Sequence, residues 1–113
     1  MGIFSDRIFS TSLKANTMAK AYLISIYIEI HDPEKLKAYA VDALPAMQAN
    51  GARFLARSTN IEGMEGQIPQ RAVVLEFESM EAAKAAYKSE EYKAALAKLE
   101  GGVDRQLFLV EGL

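Results

Sequence analysis

"AYLISIYIEIHDPEKLKAYA", residues 21 to 40, changes its hydrophobic period partway along. From Tyr22 to Ile30 every second position is Tyr22, Ile24, Ile26, Ile28 and Ile30, with Leu23, Ser25, Tyr27 and Glu29 between them. A period of two is that of a strand, whose side chains alternate between faces. Further on, Leu36, Tyr39, Ala40, Ala43 and Met47 recur at the spacing of one helical face. The joint is "DPEK": Asp32 can cap the first turn, Pro33 fits the first helical position where its missing N–H costs nothing, and Glu34 suits the positive end of the helix dipole. Asn50-Gly51 is a stop signal. Pro45 interrupts the run and is expected to remove a backbone hydrogen bond to Val41 and bend the helix.

Outward from this strand and helix the pattern repeats. "ARFLARST", residues 52 to 59, reads as a second strand with Phe54 and Ala56 on one side and Arg53, Leu55 and Arg57 on the other. "NIEGMEG", residues 60 to 66, is expected to prolong it past a bulge near Ser58 and Thr59 and to turn near Gly66. A third strand runs from Ala72 to Glu78, with Val73, Leu75 and Phe77 on one face. Ser79 caps a helix through Ala82, Ala83, Ala86 and Tyr87, and Ser89 with Glu90 and Glu91 starts a fresh turn carrying Tyr92, Leu96 and Leu99, so this helix is expected to break. Gly101-Gly102 ends it, and "RQLFLVEG", residues 105 to 112, is the last strand.

The order β-α-β-β-α-β defines the fold class: an α+β, ferredoxin-like sandwich, a four-stranded antiparallel sheet with two helices packed on one face. The Ile24/Ile26/Ile28, Phe54/Ala56 and Val73/Leu75/Phe77 rows are uniformly apolar and are expected under the helices. The bare face would then carry Leu23, Ser25, Tyr27, Leu55 and Val74 mixed with Glu29, Arg53, Arg57 and Glu76. That mixture is too apolar to meet only water and too polar for an ordinary core. A second copy of the sheet, closing the face by two-fold symmetry, satisfies both demands and points to a homodimer.

Composition sets the outer limits. The chain has 113 residues, the size of one domain, and its Lys plus Arg at 13 against Asp plus Glu at 15 give a net charge of -2. No basic field gathers a polyanion, so nucleic acid is not an expected partner. There is no cysteine, which removes disulfides, thiolate nucleophiles and Cys-rich zinc sites and makes a cytoplasmic location the simplest expectation. "AYLISIYIEI" is about half the length of a membrane-crossing helix and alternates as a strand does, so no membrane association is expected. Residues 1 to 17 are Ser- and Thr-rich and read as an N-terminal extension to a domain over residues 18 to 113; they lack the uninterrupted apolar core of a secretory signal.

Five blocks, "HDPEKLKAYA", "GARFLARST", "EGQIPQRAVVLEFES", "AAYKSEEY" and "LVEG", stand in the order and spacing of a known small family. From Met18 to Leu113 the chain resembles domain of unknown function family 1330, small bacterial proteins of the dimeric α/β-barrel superfamily. The resemblance implies a homodimer whose two sheets enclose a cavity, and no established reaction. It also implies site candidates where the polar signature matches: Arg57, Arg71, Glu76, Tyr87, Ser89 and Tyr92. Two positions depart from the family pattern. Relatives usually read Arg-Gly-Gly where this chain has Arg57-Ser58-Thr59, and often carry an arginine near Leu99, which weakens the case for an anionic ligand.

Tyr27 joins these candidates because Tyr27, Arg57 and Glu76 fall together on the face expected to be bare, where a guanidinium held by a carboxylate could present its remaining donors to a carboxylate or enolate-like ligand. The competing reading is a cross-strand ion pair, worth only about 0.2 to 1 kcal/mol. Tyr39, Tyr87 and Tyr92 at helical spacing read first as core or rim residues. His31, the single histidine, has Glu29 and Asp32 nearby; zinc sites commonly take three or four protein ligands, so no metal is expected, and His31 stands as a rim candidate, a general base at the cavity entrance being its functional reading. The glycines of "EGMEG" do not join a strand to a helix, so they do not form a phosphate loop. The functional expectation is a small-molecule-binding homodimer with a cavity between its two sheets, without a cofactor and with no established reaction. One alternative is a cofactor-independent enzyme, monooxygenase- or isomerase-like, acting on a small aromatic or acidic substrate; another is a purely structural or stress-associated dimer.

Overall fold

The computed structural model describes residues 19 to 113; the N-terminal extension lies outside them. The elements are β1 (Ala21–Ile30), α1 (Pro33–Ala49), β2 (Arg53–Ser58), β3 (Arg71–Phe77), α2 (Met80–Tyr87), α3 (Glu90–Ala97) and β4 (Val103–Glu111). The four strands form one antiparallel sheet in the order β2-β3-β1-β4, the ferredoxin-like arrangement expected from the β-α-β-β-α-β pattern.

Local chemistry sets each boundary. The Asp32 carboxylate accepts from the N–H groups of Glu34 and Lys35, both at 3.1 Å, and Pro33 opens α1. The helix runs on through Pro45 to Ala49, and Gly51 takes the left-handed conformation (φ 96°) just beyond it. Ser79 and Ser89 accept from Ala82 N–H and Tyr92 N–H, so the second helical leg is broken into α2 and α3 as the two serines foretold. β2 stops at Ser58 and is not prolonged through "NIEGMEG". Its bulge lies earlier, at Leu55, between the pairs Phe54–Leu75 and Ala56–Val74.

Alanines at 0 or 1 % exposure, Ala83 and Ala86, let α2 lie close to the sheet, while α3, with the buried Ala95, packs chiefly against α1. Leu23, Val73, Leu75 and Phe77 meet Ala43 and Met47 of α1 in the same core. This corrects the expected facing of β1. Ala21, Leu23, Ser25 and Tyr27 are the buried residues under the helices, while Tyr22, Ile24, Ile26 and Ile28 lie only half-buried on the open side. Register is the reason. Directly opposed residues of an antiparallel pair share a face, and the pairs are Leu23–Leu75, Ser25–Val73 and Tyr27–Arg71. Had Ile24 faced the helices, the whole strand would be shifted by one residue.

The open face therefore joins Ile24 and Ile26 to Ala72 and Val74 of β3 and to Phe108 and Val110 of β4, the last two 40 and 43 % exposed. Glu76 also lies here, accepting from Tyr22 Oη at 3.2 Å and pairing with Arg53 at 3.5 Å.

A candidate binding pocket beneath the sheet

Three strands bring their side chains into one row on the helix side. Tyr27 of β1 stands opposite Arg71 of β3 on one flank and Arg105 of β4 on the other. Each guanidinium lies 5.5 Å from the Tyr27 ring centroid, within cation–π range. In the next row Arg57 of β2 is opposite Val73, which is opposite Ser25, which is opposite Leu107. The Leu55 bulge puts Arg57 there: one extra residue shifts the alternation, so Phe54 and Arg57 share the helix side in place of Arg53, Leu55 and Arg57 sharing the open side.

Tyr39 descends from α1 and Tyr92 from α3 to meet this row. Their hydroxyls are 2.7 Å apart, with the rings edge to face at 6.0 Å. Arg105 ties the group together: Nη1 donates to Tyr27 Oη at 3.0 Å, Tyr39 Oη at 3.3 Å and, weakly, Ser25 Oγ at 3.5 Å, while Nη2 donates to Tyr92 Oη at 3.2 Å. Burial, reinforced by the Tyr92 hydroxyl and only partly opposed by Arg105, pushes the Tyr39 phenol far above its ordinary value. For Arg105, burial disfavours the charge, but the surrounding tyrosine oxygens outweigh it and the guanidinium holds its proton more firmly than usual.

These groups form one end of a pocket of about 50 Å³, enough for about three to five water-sized groups, which lies between the sheet and helices of one chain and not between two sheets as expected from the sequence. Its wall is Leu23, Leu44, Met47, Phe54, Val73 and Leu75, and its polar lining is Ser25, Tyr27, Tyr39, Tyr92, Arg57, Arg71 and Arg105. Among the described residues no carboxylate lines it. Among the described residues none of the three arginines is in an ion pair. Arg71 Nε is shut away from solvent and meets no acceptor.

Of the residues expected from the sequence, Tyr27, Arg57, Arg71 and Tyr92 come together in this pocket. Glu76 does not: it points from the opposite face, so the expected grouping of Tyr27, Arg57 and Glu76 is corrected by the β1 facing and the Leu55 bulge. Tyr87 is 38 % exposed on α2 and packs against the Tyr92 ring at 5.3 Å without lining the pocket. Ser89 is occupied as the α3 cap. His31 is exposed at the end of β1, its Nε2 3.0 Å from Asp104 Oδ2 and its N–H donating to Gly102 O, outside the pocket lining. Among the described residues no cluster of three or more His, Cys, Asp or Glu side chains could hold a metal. Sequence reasoning missed Arg105. The signal was there: Arg105 is in phase with Leu107 and Leu109, an arginine in the apolar row of its strand.

A ferredoxin-like α+β sheet with an arginine- and tyrosine-lined pocket between sheet and helices is the class that fold and geometry define. Residues 20 to 113 match the family model described as Domain of unknown function (DUF1330), and the chain belongs to that family. No curated protein matches it in sequence. Among solved structures it is similar to a protein of unknown function from Rhodopseudomonas palustris, with TM-score 0.70 at 14 % identity over 93 % of this chain and 95 % of that one. A cofactor-independent oxygenase from Streptomyces nogalater aligns with TM-score 0.60 at 6 % identity, covering 81 % of this chain and 91 % of that one. A dimeric ferredoxin-like protein of unknown function from Thermobifida fusca aligns with TM-score 0.57 at 16 % identity, covering 82 % and 91 %. At such identities the likeness is one of fold. No helix among the described residues is long and apolar enough to cross a membrane.

Proposed function

We propose that the protein is a homodimer, bacterial and cytoplasmic, in which each chain binds a small organic molecule in the pocket between its sheet and helices. The observation that carries the reading is the lining itself: a fixed polar end of Ser25, Tyr27, Tyr39, Tyr92 and three arginines set against an apolar wall. Concave, mostly apolar sites with a few convergent polar groups are where small ligands bind. Tyr27, Arg57, Arg71 and Tyr92 are the ligand-contacting residues of this reading, with Arg105 and Tyr39 added.

Dimerisation rests on the open face. Ile24, Ile26, Val74, Phe108 and Val110 form a contiguous apolar surface that the chain's own helices leave uncovered, and a second sheet of the same kind fits it. The structural neighbour from Thermobifida fusca is described as dimeric, which supports a dimer here.

The alternative is an enzyme of the kind found in the Streptomyces nogalater neighbour. Catalysis by proton abstraction needs a base poised near neutrality, and the pocket is lined by arginines and tyrosines, with Tyr39 held protonated. That favours binding over general-base chemistry. Native mass spectrometry of protein purified from its own host tests the reading: two chains with a retained small molecule are expected. The variant Ala40→Phe, which fills the pocket from an α1 residue of its lining, should lose the molecule and keep the dimer. A monomer sinks the dimer, and equal retention by Ala40→Phe sinks the pocket.

A further inference from the structure

Counting donors and acceptors in the pocket identifies the chemistry missing from it. Arg105 spends its Nη groups on hydroxyl oxygens, which therefore act as acceptors. Each hydroxyl retains its own proton. In the Tyr39–Tyr92 pair one proton is used and the other is left over. Tyr27 Oη and Ser25 Oγ accept from Arg105, and among the described residues neither donates to anything. Arg71 Nε–H is a further buried donor without an acceptor. The pocket thus has a surplus of donors, three positive charges and no carboxylate to answer either.

A buried donor left unmet is destabilising, and like charges in a poorly screened site add to that. Tyr27 stands between two of the cations, Arg71 and Arg105, and its ring moderates them without neutralising them. Glu76, the acid that might have balanced the set, is on the other side of the sheet. An anionic acceptor arriving from solvent would meet all of these groups at once.

We infer that the pocket is a receptor for a small organic carboxylate, its carboxylate held by Arg71, Arg105 and the hydroxyls of Tyr27 and the Tyr39–Tyr92 pair, its short apolar part against Leu23, Leu44 and Met47. Arg57, exposed on the edge strand β2 and stacked 5.7 Å from Phe54, stands at the mouth and draws the anion in. The volume of about 50 Å³ limits the ligand to a short chain unless side chains move aside. The inference rests on the small-molecule reading above and adds the sign of the charge.

The test uses butyrate and butyramide, which match in size and differ in charge, with inorganic phosphate as an anion lacking an apolar part. Each is titrated into the full chain while the tyrosine ring and arginine side-chain NMR signals are followed. Butyrate is expected to shift the Tyr27, Tyr39 and Tyr92 signals and to bind at least tenfold more tightly than butyramide or phosphate. Arg71→Gln should remove that preference, and Arg57→Gln, at an exposed position where folding is not at stake, should weaken butyrate a few-fold. Equal binding of butyrate and butyramide overturns the carboxylate inference and leaves the pocket reading standing. Phosphate binding as tightly as butyrate also overturns it, because the apolar wall would then contribute nothing. Binding of none of the three overturns it while the retained-molecule experiment judges the pocket separately.

Discussion

The two faces of β1 are written in nearly the same alphabet and have opposite fates. Tyr22, Ile24, Ile26 and Ile28 are the more apolar row and lie on the side the helices leave open; the row of Leu23, Ser25 and Tyr27, with two hydroxyls in three residues, lies beneath the helices. Hydrophobicity alone would assign them the other way round. The chain places its best apolar row where its own elements do not cover it and seats hydroxyls and guanidinia inside. That is reasonable if the open row meets another copy and the inner row meets a ligand.

The contrast can be broken from either side, and the strongest blow falls on the inner face. Phe77→Ala empties a site of 1 % exposure and should cost about 3 to 5 kcal/mol in urea unfolding. On the open face Ile26→Asp should instead split the assembly, weakening a dimer at least about a hundredfold, or about 3 kcal/mol, in light scattering, with the secondary structure intact by circular dichroism. A stable, unsplit Ile26→Asp protein would mean that this row is simply surface.

Tyr39→Phe sharpens the picture of the inner network. It removes the hydroxyl shared with Tyr92 and Arg105 and should cost about 1 to 3 kcal/mol at neutral pH by chemical denaturation. It should also change the alkaline limb. The Tyr39 phenol is raised in the folded chain, so its contribution is fully present below the unfolded value of about 10 and is lost as pH climbs past it, because the unfolded chain then releases a proton the folded chain keeps. The variant should therefore lose stability less steeply than the parent above about pH 10. The smallest effect is expected at Glu76→Gln, which weakens contacts to Tyr22 and to an Arg53 side chain that is 76 % exposed. A loss of under about 1 kcal/mol with unchanged butyrate binding is predicted, and a large binding loss would place Glu76 in the pocket after all.

Much of the architecture was legible because local signals fix it. Asp32-Pro33, Asn50-Gly51, Ser79 and Ser89 each announce a boundary through backbone chemistry that needs no partner, and the strand and helix order follows from them. The site was legible only in pieces. Period two shows that β1 has two faces but not which face the helices choose; that depends on register against β3, a relation between residues about fifty apart. Arg57 was read on the wrong side because the bulge sits at Leu55 and not at Ser58, and nothing in "ARFLARST" marks it. Arg105 was missed for another reason, since its phase with Leu107 and Leu109 marks the row but not the partner. Its meaning comes from standing opposite Tyr27, which only the assembled sheet reveals.

The extra residue at Leu55 works like a reading-frame insertion written in three dimensions. Were Leu55 paired into the ladder and not bulged out, the letters downstream would stay the same while each of them was delivered to a different address: Arg57 would leave the pocket for the open face, opposite Ala72, and Ala56 would take its place. Loss of the bulge at constant length would then matter more than most substitutions, because it relocates a charge without altering the charge count.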